Sequence, residues 1–269
     1  VRGDDHISNT PKQVLLYNAF GKTPPAFAHV PLIMGPDKQR LSKRHGATSV
    51  TEYEKQGYIP EAMFNFLALL GWGTGSNDEL FTRDDLIQRF NLEAISGGNA
   101  VFNTEKLDWF NHQHLLKLDD AELIARLMPG LDAAGFLTND LAWLNRVLTL
   151  LRPRAKRLTE FVDQARPFFV EPTDYDADGL KKHLSAAGSR EHILALRDVY
   201  VSTEWTEAEL EKALRSLAEQ RAVKPAVLIH GTRLAVTGRM VSPGLFEMVV
   251  VVGQEAVLRR LEKLASVLP

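Results

Sequence analysis

Apolar residues recur at helical spacing through nearly everything beyond residue 50, and this constrains the fold more than any other feature. Between residues 139 and 151, Leu141, Leu144, Val147, Leu148 and Leu151 fall on one stripe, the three-and-four spacing that lets one helix face be buried. Residues 61–70 place Ala62, Phe66, Leu67 and Leu70 on one face before Gly71 stops them. Thr82-Arg83-Asp84-Asp85 opens another helix with Leu86, Ile87 and Phe90 inward. Thr104 caps a helix carrying Leu107, Phe110 and Leu115, although His and Gln residues interrupt its pattern. Further helices are expected over 120–128, 207–220, 224–236 and 254–267. The string Thr206-Glu207-Ala208-Glu209 reads as a capping box, in which the hydroxyl accepts a first-turn N–H and the glutamate reaches back. Met248 to Val252 is β-branched enough for a strand, but Pro243 and the helical neighbourhood favour a helix.

The first third is different. Val14 to Phe20 reads as a short helix stopped by Gly21, and Val30 to Met34 as an extended apolar segment. Gly35-Pro36-Asp37 then signals a turn, followed by a polar basic loop over 37–46. The absence of cysteine removes disulfides, thiolate metal sites and Cys nucleophiles, and fits a reducing cytosol. No apolar run approaches the ~18 residues of a membrane span. His112 and His114 stand two apart without a ligand pattern, so no metal site is expected, and Trp72, Trp109, Trp143 and Trp205 are expected in cores. A formal net charge of −2 over 269 residues does not advertise a nucleic-acid binder. Binding follows local clusters, however, and two are present: Lys38, Arg40, Lys43 and Arg44, then Arg152, Arg154, Lys156 and Arg157.

Arg40-Leu41-Ser42-Lys43-Arg44-His45-Gly46 packs cations and a hydroxyl into few residues after an extended segment. A loop of that composition can wrap a polyphosphate, Lys43 as a point charge and Arg44 as a planar fork. Cations there offset the charge that builds as the bond to pyrophosphate breaks. A solvated basic loop is the plainer reading. The string itself resembles the signature loop of class I aminoacyl-tRNA synthetases, in the Lys-Leu-Ser-Lys-Arg-His-Gly form of glutamyl-tRNA synthetases, with Arg40 in place of the first lysine. Val1 to Pro11, His29 to Ile33, Gly57 to Ala62 with Leu69 to Trp72, Val101 to Leu107, and Ser242 to Glu247 are similar to the same family. The resemblance therefore runs nearly end to end.

This resemblance implies ATP (with Mg) as cosubstrate, L-glutamate and glutamate tRNA as partners, a cytoplasmic setting and a monomer. It implies that Arg40, Ser42 and Lys43 close over the phosphates, that Lys43 and Arg44 bind ATP, and that Arg2 contacts glutamate. A guanidinium fork suits a carboxylate, although Arg2 pairing with Asp4 or Asp5 is an equal alternative. Leu150 to Arg157 places Arg-Pro-Arg at a helix junction, where free backbone N–H groups and cations can hold a phosphate or a splayed base. The resemblance makes Arg154 the discriminator of the third anticodon base, with Arg233, Ser242 and Phe246 completing the pocket.

The expected architecture is mainly α. Residues 1–35 would end a Rossmann-like catalytic domain, and 36–118 would carry the signature loop and stem-contact helices. Residues 119–172 and 173–269 would be two helical anticodon-binding units, divided near Glu171-Pro172-Thr173-Asp174. The chain opens at Val1 and carries no His-x-Gly-His motif of the kind class I enzymes need, so it is expected to be part of a longer enzyme and inactive alone. A stand-alone tRNA-binding module is the alternative. Helical periods in the tail argue against a glutaminyl enzyme with β-barrel anticodon domains, and the presence of that tail argues against a glutamyl-queuosine-type paralogue.

Overall fold

In a computed structural model, residues 1–42 and 49–269 are described. They form two compact units: Val1–Asp119 with Lys156–Thr159, and Asp120–Ala155 with Glu160–Pro269.

The first unit begins with β1 (Arg2–Gly3), a 3-10 turn (Asp4–Asn9) and α1 (Thr10–Ala19), then β2 (His29–Val30) and β3 (Ile33–Met34). There follow α2 (Val50–Lys55), α3 (Pro60–Ala68), α4 (Arg83–Arg89), β4 (Ala100–Val101) and α5 (Thr104–Lys117). β1 pairs in parallel with β2, placing Arg2 opposite His29, and β3 pairs in parallel with β4, placing Ile33 opposite Ala100. Parallel partners require a crossover, so each pair ties together segments far apart in the chain. The core gathers Tyr53, Tyr58, Met63, Phe66, Phe102, Leu107 and Phe110, with the Phe66 and Phe102 rings edge to face at 5.0 Å.

Several inward assignments shift. On α3 the buried face is Ala62, Met63, Asn65 and Phe66, and Leu67 is exposed. On α4 Leu86 alone is buried, while Ile87 and Phe90 face out. Asn103, not Thr104, caps α5, accepting from the Lys106 N–H at 3.0 Å. Trp109 is 41% exposed rather than buried.

The polar residues that interrupt α5 hold the unit together. Asn111 is fully buried; its Oδ1 accepts from the Ile59 N–H at 2.8 Å and its Nδ2 donates to the Lys156 carbonyl at 2.6 Å. His114 meets the buried Asn65 Oδ1 at 3.0 Å, and that oxygen also accepts from the Phe81 N–H. Since an amide oxygen only accepts, His114 Nε2 carries the proton. Gly57 lies at φ 89 with the Leu158 and Thr159 nitrogens within 2.8 Å of where a Cβ would sit, so only glycine fits beside them. Asn111→Ala strands the buried Ile59 N–H and takes the donor from the part-buried Lys156 carbonyl, at up to roughly 1–3 kcal/mol each. We expect the first unit to lose about 2–4 kcal/mol on that basis, read as an earlier unfolding midpoint in urea.

The second unit is entirely helical among the described residues: α6 (Asp120–Ala133), α7 (Leu141–Leu151), α8 (Leu158–Phe169, entering the unit at Glu160), α9 (Ala177–His183), α10 (Ser189–Val201), α11 (Glu207–Gln220), α12 (Pro225–Thr237), α13 (Leu245–Val252) and α14 (Gln254–Ser266). The stripe on α7 is buried at Leu144, Val147, Leu148 and Leu151, with Leu141 left exposed at its start. α6 outruns its expected end at residue 128, passing through Pro129 to bury Leu131. Gly130 permits this, because a Cβ there would stand 3.0 Å from Val162 on α8. Met248 to Val252 is helical, within α13.

Thr206 caps α11, accepting from Glu209, but no reciprocal bond forms there. The Thr206 N–H already donates to Glu204 at 2.8 Å, and Glu209 turns to Lys212. The reciprocal box lies at Thr82 and Asp85 instead. Among the described residues, no helix is long and apolar enough to cross a membrane.

Candidate functional site

The first group of candidates lies in the first unit. The chain leaves β3, turns through Gly35 to Gln39 and comes back, so that Arg40 bridges Met34 in antiparallel fashion. Leu41 then anchors the return: its N–H donates to Ile33 at 2.9 Å and its side chain packs on the aromatic core. Arg40 reaches Asp5, Nη2 to Oδ2 at 2.9 Å, across a largely exposed surface. Such a pair contributes about 0–1 kcal/mol and exchanges readily for a phosphate. Ser42 follows directly, and Lys43 and Arg44 lie outside the described residues.

Arg2 does not pair with Asp4 or Asp5. Its Nη1 donates to Gln13 and its Nη2 to Thr10, both at 2.6 Å, its Nε donates to His29 Nε2 at 3.3 Å, and Phe27 lies under the guanidinium at 5.2 Å. An arginine can only donate, so His29 Nε2 must present its lone pair and the ring proton sits on Nδ1. Of five guanidinium N–H groups three are engaged among the described residues, leaving one on each terminal nitrogen to donate to a further acceptor such as a carboxylate.

The second group lies in the second unit, after α7. The four cations of this stretch separate by partner. Arg152 pairs with Asp120 at 2.9 Å. Arg157, which belongs to the first unit, grips Asp108 with two bonds at 2.8 and 3.0 Å over the Tyr58 ring. Arg154 is exposed, and no carboxylate among the described residues pairs with it; Nη1 donates to the Ser242 carbonyl at 3.1 Å. Arg233, one turn from the end of α12, donates through Nε to Ser242 Oγ at 3.1 Å. That hydroxyl in turn donates a hydrogen bond to the Pro243 carbonyl at 2.9 Å.

Ser242 thus joins two arginines that are 88 and 9 residues from it in the chain. Burial holds the Arg233 guanidinium below its ordinary value, and the Arg154 charge pushes the same way. One turn earlier on α12, His230 stacks on His183 at 3.9 Å, and burial keeps both below the usual imidazole range. Arg154 and Arg233, which pair with no carboxylate among the described residues, stand at a cleft of about 430 Å³ that Asp163 also lines, and their donors can meet an electron-rich base edge or an anion. Arg154 and Ser242 line that cleft, with Met248 and Pro243 as apolar wall; Arg233 stands behind Ser242, and Phe246 is half-buried away from the lining.

Two family models match this arrangement: the catalytic domain of class I tRNA synthetases (E and Q) over residues 1–109, and an anticodon binding domain over residues 122–265. The chain is 43% identical over 265 residues to glutamate–tRNA ligase 1 of Syntrophomonas wolfei, and 45% over 268 residues to glutamate–tRNA ligase 2 of Koribacter versatilis. The chain belongs to the glutamate–tRNA ligase family. Each alignment takes in 98% of this chain and 54% or 56% of the relative, so the chain spans about half the length of the relatives it matches. A crystal structure of a glutamate tRNA ligase from Elizabethkingia meningosepticum, in complex with its amino acid, superposes with a TM-score of 0.88 at 26% identity. It covers 100% of this chain and 57% of that one.

Within this family frame, the candidate residues fall on both matched regions: Arg2, Arg40 and Ser42 on the catalytic one, Arg154, Arg233, Ser242 and Phe246 on the anticodon one. Sequence reasoning missed residues that line the cleft together with Arg154, namely Asp163, Gln164 and Arg239. They come from α8 and the turn after α12, and no motif links them.

Proposed function

We propose that this chain is the part of a glutamate–tRNA ligase that reads the anticodon and closes on the ATP phosphates. The observation that carries the reading is the Arg154–Ser242–Arg233 constellation, two guanidiniums on one serine with no carboxylate partner among the described residues, within the anticodon-binding region. In the whole enzyme the glutamate carboxylate attacks the α-phosphate of ATP, releasing pyrophosphate, and the 3′ end of tRNA takes the acyl group from the adenylate.

Arg2 presents its two remaining N–H groups to glutamate, held in place by Gln13, Thr10 and His29. Arg40, Ser42, Lys43 and Arg44 meet the phosphates, with Arg40 leaving Asp5 to do so. Mg arrives with the nucleotide; no cluster of three or more His, Asp or Glu side chains able to hold a metal occurs among the described residues. Residues 1–35 complete a Rossmann-like domain, 36–118 carry the loop and stem-contact helices, and 119–172 and 173–269 serve the anticodon. The enzyme works as a cytoplasmic monomer, and this chain alone binds tRNA without activating glutamate.

The test is a titration of the chain with glutamate tRNA and with a transcript altered at the third anticodon base, at two salt concentrations. Phosphate contacts alone give salt-dependent but sequence-blind binding. A base read bidentately is expected to favour the native transcript by roughly 10- to 100-fold. Equal affinities would leave only a basic surface and end the proposal.

A further inference from the structure

We propose that the stacked rings of His183 and His230 form a proton-sensitive latch, which holds the C-terminal end of α9 against α12 while both imidazoles are neutral and lets go as they take up protons. Neither residue takes part in the anticodon reading above, so the latch is independent of it.

α9 is fastened to α12 and the turn after it at both ends, by different means. At its start the Asp176 N–H donates to the Gly238 carbonyl at 2.8 Å, a backbone bond that does not titrate, and Met240 covers Gly179 where a Cβ would collide with its sulfur. At its other end Leu184 packs on Gly231, 3.4 Å from where a Cβ would sit, and the same Cβ would run into Ile193 of α10. Directly before those two contact residues stand His183 and His230, their ring centroids 3.9 Å apart and their planes 30° from parallel. The last turn of α9 is thus held by a leucine and a ring stack, and only the stack titrates.

His230 Nδ1 is buried and has no hydrogen-bond partner among the described residues. An imidazolium carries an N–H on both nitrogens, so a protonated His230 would bury a charged donor with nothing to accept from it. Burial keeps both rings below the ordinary imidazole range; Lys182 adds to this at His183, and His183, Arg233 and Lys182 add to it at His230. The other elements packed on α12 supply no compensating carboxylate among the described residues. On α10, Glu191 and His192 turn to Gly188; on α11, Glu209 and Glu211 pair with Lys212 and Arg215. Glu247 of α13 folds against Gly244, and α14 brings Arg260 to the Val236 carbonyl. Two imidazoliums at the spacing of this stack also repel each other. Because the folded rings resist protons that the unfolded chain accepts, the latch is at full strength above the ordinary imidazole value of 6.5 and is lost as the pH falls below it.

Amide hydrogen exchange of the full chain at about pH 8 and about pH 5.5, corrected for intrinsic rates, reads the latch helix by helix. Protection of the last turn of α9 should fall several-fold in acid, with roughly 10-fold per ring as the ceiling for an ordinary imidazole freed of the stack. α6 and α7, in the same unit, should keep their protection. His230→Phe leaves a ring for His183 to stack on but takes no proton there, so it should lose most of that pH dependence. If the α9 end of the Phe variant loosens in acid as wild type does, the proton acts elsewhere and the proposal falls. Wild-type protection that does not change with pH, or that falls equally in α6 and α7, overturns it too. Should the variant not fold, the ring resonances of the wild-type chain decide: both histidines should titrate at lower pH than histidine in a model peptide, and ordinary titration of both ends the proposal. None of these outcomes bears on base reading by Arg154.

Discussion

On the proposed reading, Arg154→Ala is expected to erase a preference for glutamate tRNA over the third-base transcript while leaving most of the tRNA affinity in place. The wild-type side chain is exposed, carries no counterion among the described residues, and is aimed by a single bond to the Ser242 carbonyl. Its remaining N–H groups are therefore available to a base acceptor edge, and a bidentate contact of that kind discriminates by about 1–3 kcal/mol, roughly 10- to 100-fold. Backbone contacts elsewhere are untouched, so the overall affinity should fall less than the ratio does. Arg154→Lys separates charge from geometry. It keeps the cation but loses the planar fork, so the salt dependence should be preserved and the preference lost. A lysine variant that still discriminates would mean that charge alone is sensed there. The assignment of base reading to Arg154 would then be withdrawn.

Local signals were legible and long-range ones were not. The α7 stripe, the α11 start at Thr206 and the helical nature of Met248 to Val252 depend on neighbours within a few residues, and a period or cap records them directly. The inward assignment of Ile87 and Phe90 failed because a seven-residue helix has too few turns for its period to choose a face; Leu86 alone reaches the core. The polar residues on α5 looked like interruptions because their partners are far away: Asn111 answers Ile59, 52 residues earlier, and His114 answers Asn65, 49 earlier. The parallel strand pairs are two residues long, below what alternation can register. At the candidate site, Arg154, Arg233 and Ser242 were found through family resemblance, and the structure then put them together. Asp163, Gln164 and Arg239 had no such route, since α8 and the turn after α12 become neighbours only through folding.

Arg260→Ala should destabilise the second unit by about 3–5 kcal/mol, for reasons that also lie outside any motif. Arg260 is 3% exposed on α14, and its Nη1 donates to the Pro167 carbonyl at 2.7 Å and the Val236 carbonyl at 2.9 Å. Those carbonyls belong to the last turns of α8 and α12, where no further helical N–H is available and the helix dipole favours a cation. Burial lowers the guanidinium pKa, the nearby Glu171 opposes that shift, and arginine stays charged throughout. Alanine would leave the buried Val236 carbonyl and the part-buried Pro167 carbonyl unmet, at up to roughly 1–3 kcal/mol each, and a void where the stem had packed. For a unit of this size the loss should lower the melting temperature by roughly 10 °C. Arg260→Met refills the stem volume but not the bonds, so it should recover part of the loss. Equal effects of the two variants would place the whole cost on the carbonyls, and no effect from either would mean that water already satisfies them. Because α8 and α12 carry Gln164 and Arg233, the same clamp that holds their ends together also sets the spacing of the cleft beside Arg154. On the proposed reading, Arg260→Met should therefore weaken the preference for native tRNA even well below its melting point, although the residue does not line that cleft.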